Sequence, residues 1–337
     1  MIRVRVSHPF LWSMTNQFPG PEQTWGNCRF YLNEPIDSAD FWVVLMDVPA
    51  AQAVPSKVGR KILVVLEFPE IKPTIAPRFL EQFDTVLSFG RTLSHPRVEE
   101  VLAPFPWMLG MRIEGMKVLG CLSFQEIEAL DLHTKTREIS VISSNKVVSA
   151  GHRRRLEFVE ILKREFGDQL DVFGRGIKTF QDKLEAIGPY RYHIALENCQ
   201  CPNGISEKLY DAYLGESFPI YYGCPNVGDY FPADALAIID IAQPEQAIRI
   251  IRETIAAKTY EASRARLREC KHTVLHQYNI FALLADFCER EYRSETAKST
   301  IRIAPEAELE SMTDRAAHYG HAVKRRLGKL WDRVQGR

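Results

Sequence analysis

Two runs constrain what this chain can fold into more than any other feature: FWVVLMDV at Phe41–Val48 and KILVVLEF at Lys61–Phe68. A strand with one face in water alternates apolar and polar residues. A run that is apolar at nearly every position must be covered on both faces, which is the situation of a parallel α/β sheet. Ile2–Val6 alternates, Thr85–Phe89 adds a short apolar run, and Ala76–Phe83 between two of these strands has helical spacing, which predicts a strand, crossover helix, strand order. From Glu138 the pattern begins again with EISVISSN, an amphipathic helix over Arg153–Gly167, and the strands DVFG, YHIALEN, PIYYG and LAIID. Helical segments then run from about Pro244 to Tyr292.

The chain has 337 residues, enough for two domains of roughly 100–200 residues each. The polar stretch around Leu130–Arg137 lacks apolar periodicity and marks the expected boundary, giving units 1–134 and 135–292, followed by a polar linker and a basic amphipathic helix over 293–337. Forty-three basic residues balance 43 acidic ones, which argues against the broad positive surface that nucleic-acid binding needs. The amino-terminal MIRVRVSHPFLW is not a signal peptide, and no run reaches the roughly 20 apolar residues of a membrane span, so a cytoplasmic protein is expected. Seven scattered cysteines suit a reducing compartment. Cys199 and Cys201 lack a second Cys/His pair at zinc spacing, and His272 and His276 lack the Glu of a zinc-protease helix, so packing or surface roles are expected for all four.

The segment LENCQCPNGISEKLYDAYLG carries the chemistry. The strand YHIALEN should release the chain into a cleft at Asn198, and the loop through Pro202 and Gly204 turns it into a helix with Ser206 as N-cap. Glu207 and Lys208 then fall in the first turn, among unpaired N–H groups that favour an anion. A cation there is mildly unfavourable by dipole reasoning, so Lys208 implies negative charge arriving from elsewhere, such as a phosphate. Glu207 can accept from vicinal hydroxyls such as those of a ribose.

Over about forty residues the string resembles the donor-binding motif of glycosyltransferase family 10, the α-1,3/1,4-fucosyltransferases. The matching pieces are Tyr190-Arg191-Tyr192, Leu196-Glu197-Asn198, Ser206-Glu207-Lys208 and Pro219 through Gly223. Upstream, SSNKVVSAGHRRRLEFVEIL resembles the family's Ser-Asn stretch and its following Arg. That places the Arg at Arg155, with Phe158 and Leu162 completing the pattern and Arg153 and Arg154 adjacent in register. The resemblance implies a GT-B-like α/β fold: two Rossmann-like domains facing across a cleft, with a C-terminal helical tail. Residues 1–134 would be the acceptor side and 135–292 the donor side.

It further implies inverting transfer of fucose from GDP-fucose to a hydroxyl of an acceptor glycan. The expected setting is a bacterial surface polysaccharide or lipopolysaccharide, since the membrane anchor of Golgi relatives is not seen. Glu67 would be the catalytic base, with Glu70 as the nearby competitor. Arg155, Lys208 and the helix start at Ser206 would hold the diphosphate, Glu207 the ribose, and Asn198 the diphosphate or the loop. No Asp-x-Asp motif appears, so no obligatory metal cofactor is expected. Gly204 stands where the family commonly has Tyr, which leaves another GDP-sugar as an alternative donor and a non-catalytic nucleotide-sugar or glycan binder as an alternative class. In the tail, Val323, Leu327, Leu330, Trp331 and Val334 share one helical face and basic residues the other, which suits either an anionic membrane surface or a protein contact.

Overall fold

The computed structural model describes residues 1–309 apart from 116, 133, 144, 146, 148, 175 and 176; the tail helix expected at 317–337 lies outside the described residues. The first sheet contains β1 (Ile2–Ser7), β2 (Thr24–Trp25), β3 (Cys28–Leu32), β4 (Ser38–Leu45), β5 (Ser56–Val64), β6 (Thr85–Ser88) and β7 (Val98–Glu100). Their order across the sheet is β2-β3-β1-β4-β5-β6-β7, parallel except for the β2–β3 hairpin. A small hairpin, β8 (Met111–Glu114) with β9 (Lys117–Cys121), precedes the second sheet. That sheet holds β10 (Arg137–Ile142), β11 (Leu170–Phe173), β12 (Tyr190–Leu196), β13 (Phe218–Tyr222) and β14 (Ala237–Ile238), all parallel in the order β11-β10-β12-β13-β14.

Both faces of the first sheet are covered, as its continuous apolar runs require. Phe41, Val43 and Leu45 of β4 pack into one buried cluster while Trp42 and Val44 pack into another on the opposite face. β1 is central rather than half exposed, so Arg5 is buried. Its guanidinium lies 3.7 Å from the Trp42 ring and donates to the carbonyls of Val54 and Gln52. This cation–π contact and the two carbonyls offset the desolvation that burial imposes.

Helices α1 (Pro77–Leu80), α2 (Phe124–Ala129), α3 (Ala150–Phe166), α4 (Lys183–Ile187), α5 (Glu207–Leu214), α6 (Pro244–Ala256), α7 (Thr259–His276), α8 (Ile280–Glu291) and α9 (Glu306–Leu309) complete the fold. The crossover expected over Ala76–Phe83 shrinks to the single turn of α1, closed by Phe79 packing edge-on against Phe83. Among the described residues no helix is long and apolar enough to cross a membrane.

The packing departs from the expected boundaries near the end of the chain. Helix α8 follows the second sheet in sequence, yet Ile280, Phe281, Leu284 and Cys288 fill the core of the first. The segment expected as a polar linker from 293 contains β15 (Ser299–Ile301), which pairs antiparallel with Ser56–Val58 of β5. Beyond it Ile303 is buried, and the Glu306 carboxylate accepts from the Ala76 N–H and from Lys72. An amphipathic helix shows that a face will be buried without showing which sheet will bury it. Phe281 stacks on Phe18 at 3.9 Å and meets Phe30 edge-on at 5.2 Å. Replacing it, Phe281→Ala, should destabilise the first domain by about 3–5 kcal/mol, read by urea denaturation.

Candidate functional site

In the second sheet the strand order reverses between β10 and β12, so the crevice outside their carboxyl ends is the expected ligand position. β12 ends there in Glu197 and Asn198. Glu197 is fully buried: its carboxylate accepts from the Ser206 N–H at 2.9 Å, from Ser206 Oγ at 2.7 and 2.8 Å, and from Lys208 Nζ at 3.1 Å. Ser206 is the N-cap of α5, its hydroxyl accepting from the Lys208 N–H. The turn between strand and helix is thus tied around one carboxylate. Gly223, at the end of β13, leaves room for it, because a Cβ there would lie 2.4 Å from Glu197 Cγ.

Lys208 therefore has an internal counter-charge, which the reading of Lys208 as a cation awaiting a phosphate did not include. Its Nζ also lies 3.5 Å from Glu207 Oε1, and Lys183 Nζ lies 3.5 Å from the same oxygen. Burial alone would raise the pKa of Glu207, but Lys208 and Lys183 overcome it and hold the carboxyl at about 2. Lys183 in turn is anchored by Asp211 Oδ2 at 2.6 Å, while Asp211 Oδ1 accepts from the Met108 and Leu109 N–H groups of the interdomain segment. Arg155, on α3, is buried and donates to Asn198 Oδ1 at 2.5 Å. Burial lowers its pKa, with Glu197 and Glu207 acting in the opposite sense.

These groups surround a cavity of about 140 Å3. Arg155, Lys183, Glu207 and Lys208 form its polar side, and Ile142, Ile187, Ile194 and Leu196 its apolar wall. His193 also lines it, bonded to Ser140 Oγ at 2.8 Å; burial and then Lys183 push its pKa down to about 3, so the ring is neutral. An apolar wall beside fixed cations and the Glu207 and Asp211 carboxylates can accommodate a nucleoside with its phosphate end held by charge.

Across the cleft, β5 leads into Glu67 and Glu70. No described residue hydrogen-bonds the Glu67 carboxylate. Glu70 Oε1, in contrast, accepts from the Gly151 N–H at 2.9 Å, in the first turn of α3. Arg91 braces the turn between them, donating to the carbonyls of Glu67 and Lys72. Phe68, Phe89 and Ala103 from the first domain pack with Cys199 and Cys201 from the second. Burial pushes these two thiols up to about 12 and about 11, so they remain protonated in an apolar seam. Gly204 belongs to the same seam: a Cβ there would meet the Phe68 ring at 2.8 Å. His272 and His276 stack on each other at 4.2 Å, and His276 Nε2 lies 2.7 Å from Glu128.

The structure thus gathers Arg155, Asn198, Ser206, Glu207 and Lys208 at one crevice and sets Glu67 on the facing domain. Reasoning from sequence missed Glu197, Lys183, Asp211 and Arg91. Lys183 carried the same flag as Lys208, a cation in the first turn of a helix. The depressed Glu207 pKa stabilises the fold above the ordinary carboxyl value of 4.5, and that contribution disappears as pH falls from there to about 2. The Tm difference between the wild type and Glu207→Gln should therefore be full above pH 5 and close by about pH 2, measured by calorimetry across that range.

Comparison with known proteins agrees with this geometry. Residues 132–289 match the family model described as glycosyltransferase family 10 (fucosyltransferase), C-terminal part. The chain is 30% identical over 87 residues to the α-(1,3)-fucosyltransferase FucT of Helicobacter pylori, covering 26% of this chain and 18% of that one. It is 40% identical over 53 residues to GDP-fucose protein O-fucosyltransferase 3 of Xenopus laevis, covering 16% of this chain and 11% of that one. The chain thus spans less than a fifth of the length of these curated relatives. An α-glucosyltransferase solved with UDP and a 13-mer DNA shares the fold, with a TM-score of 0.50 at 12% identity over 85% of this chain and 99% of the other. The crevice at β10 and β12 therefore lies within residues 132–289, the part of this chain that matches the glycosyltransferase family 10 (fucosyltransferase) C-terminal model.

Proposed function

We propose that the protein is an inverting glycosyltransferase that moves fucose from GDP-fucose to a hydroxyl of an acceptor glycan. The observation that carries this reading is the tie of Glu197, Ser206 and Lys208 beside Arg155, at the switch point of a domain matching the family 10 model. Fucosyl transfer is also the element common to the names of the relatives.

In this reading GDP lies in the β10–β12 crevice, with Glu207 toward the ribose and Arg155, Lys208 and the amino end of α5 toward the diphosphate. Glu67 takes the proton of the acceptor hydroxyl as its oxygen bonds to C1. The bond from C1 to the phosphate oxygen breaks on the opposite face, and GDP leaves with the electron pair. In this reading Arg155 and Lys208 donate to the diphosphate directly, their charge partly balanced by Glu197 and Glu207, and no obligatory metal is invoked. Glu67 is preferred to Glu70 as base because its carboxylate is uncommitted, whereas Glu70 is engaged at α3. Phe68 fills the space beside Gly204 where a Tyr side chain is expected, and this favours testing other GDP-sugars as donors alongside GDP-fucose.

Calorimetric titration with GDP, UDP and CMP tests the donor site. GDP should bind selectively, and Lys208→Met should weaken it at least tenfold. That single variant also strands Glu197 and should cost about 3–5 kcal/mol of stability. Adding Glu197→Gln should recover most of the stability without restoring GDP binding, which separates the two roles of the lysine. Binding of UDP or CMP in place of GDP would overturn the donor assignment. With GDP-fucose and an acceptor glycan, Glu67→Gln should lower kcat by about 10²–10⁴-fold while GDP affinity is unchanged. Full activity in that variant would remove Glu67 from the role of base.

A further inference from the structure

The first sheet has a switch point of its own. The chain passes from β1 to β3 on one side and returns to β4 on the other, so the strand order reverses between β1 and β4. Open parallel sheets hold ligands outside the carboxyl ends of such a pair. In this protein that position is a recess of about 350 Å3, lined by His8 and Phe10 beyond β1, Asn33 beyond β3, and Asp47 with Val48 and Pro49 beyond β4.

The polar groups of the recess are fixed in place and incompletely satisfied. His8 is 1% exposed, and burial pulls its pKa down to about 4, so the ring is neutral. Its Nε2 is buried with no hydrogen-bond partner among the described residues. Asn33 is locked by two bonds to the His8 backbone, both 2.9 Å. Asp47 Oδ1 accepts from the Val48 N–H at 2.7 Å and the Glu306 N–H at 3.0 Å, while no described residue donates to Oδ2. The strand ends carry backbone strain as well: Met46 sits at φ 68° and Asn33 at φ 50°. Phe10 is half-buried, 5.5 Å from the His8 ring and 5.0 Å from Trp12, forming an aromatic wall.

The lining contains no cation, and its one charged group is a carboxylate, so a phosphate does not suit it. An aromatic wall and a rigid carboxylate oxygen suit a polyhydroxylated ring, whose C–H face covers the aromatic while a hydroxyl donates to the carboxylate. The position fits too, because β4 lies next to β5, the strand that leads into Glu67, at the interstrand spacing of about 4.8 Å.

We propose that this recess is a subsite for a neutral pyranose of the acceptor, held by Phe10 and Asp47. The proposal rests on the glycosyltransferase reading above. The experiment is saturation-transfer NMR on the full chain, with and without GDP, using the methyl β-glycosides of glucose, galactose and N-acetylglucosamine. It is repeated on Phe10→Ala and on Asp47→Asn, which keeps Oδ1 as an acceptor for Val48 and Glu306. At least one glycoside should bind the wild type and bind each variant at least tenfold more weakly, with GDP affinity the same within twofold in all three proteins. Unchanged glycoside binding in both variants, or no glycoside binding to a wild type that binds GDP, would overturn the subsite and leave the donor reading standing. Loss of GDP selectivity would instead strike the donor reading, while the glycoside comparison would still decide the recess.

Discussion

A buried carboxylate organises the crevice of the second sheet. Glu197 has no access to water, and an ionised carboxylate in that position is tolerable only if its lone pairs are met by donors. Ser206 and Lys208 meet them, and in doing so they fix where the loop after β12 ends and where α5 begins. The placement of Glu207 in the first turn, and of Arg155 against Asn198 one residue beyond Glu197, follows from that anchor. Charged groups tied this tightly are preorganised, so a ligand does not have to order them on binding.

The two sheets meet at their carboxyl ends through a dry seam and a few directed bonds. Phe68 and Phe89 pack on Cys199 and Cys201, Asn203 bonds Glu100 and the Ala103 N–H, and Glu70 reaches the first turn of α3. Asp211 adds a link from the crevice to the interdomain segment. Glu67 and the β10–β12 crevice therefore share a boundary built from both domains, and the apolar part of that boundary lowers the local dielectric in which their charges act.

What could be read from the sequence divides along physical lines. Asn198, Ser206, Glu207 and Lys208 belong to one strand, loop and helix unit, so their spacing placed them together; Arg155 came only through the family resemblance, with Arg153 and Arg154 beside it. Glu197 stood inside the same string, but its role as an anchor depends on burial, which spacing does not reveal. Lys183, Asp211 and Arg91 reach the site from other elements through tertiary packing. The runs of β4 and β5 announced a two-sided sheet because their apolar residues are continuous, whereas β3, β7 and the β8–β9 hairpin are short and partly exposed and gave no comparable signal. The register of α8 on the first sheet was unreadable for a different reason: a helix encodes the existence of its apolar face and leaves its partner to topology.

The return of α8 and β15 to the first sheet bears on how the protein is made. A chain growing from its amino terminus presents β1 to β7 first, but their core lacks Ile280–Cys288 and Ile303 until the end of the described chain has appeared. At ordinary synthesis rates the roughly 180 residues between β7 and α8 take on the order of 10–40 s to add. The second sheet, contiguous from β10 to β14 with α3 to α7 around it, can close during that interval. The half that is begun first is thus finished last, and its unfilled apolar face is the surface that a chaperone would have to shield on the ribosome.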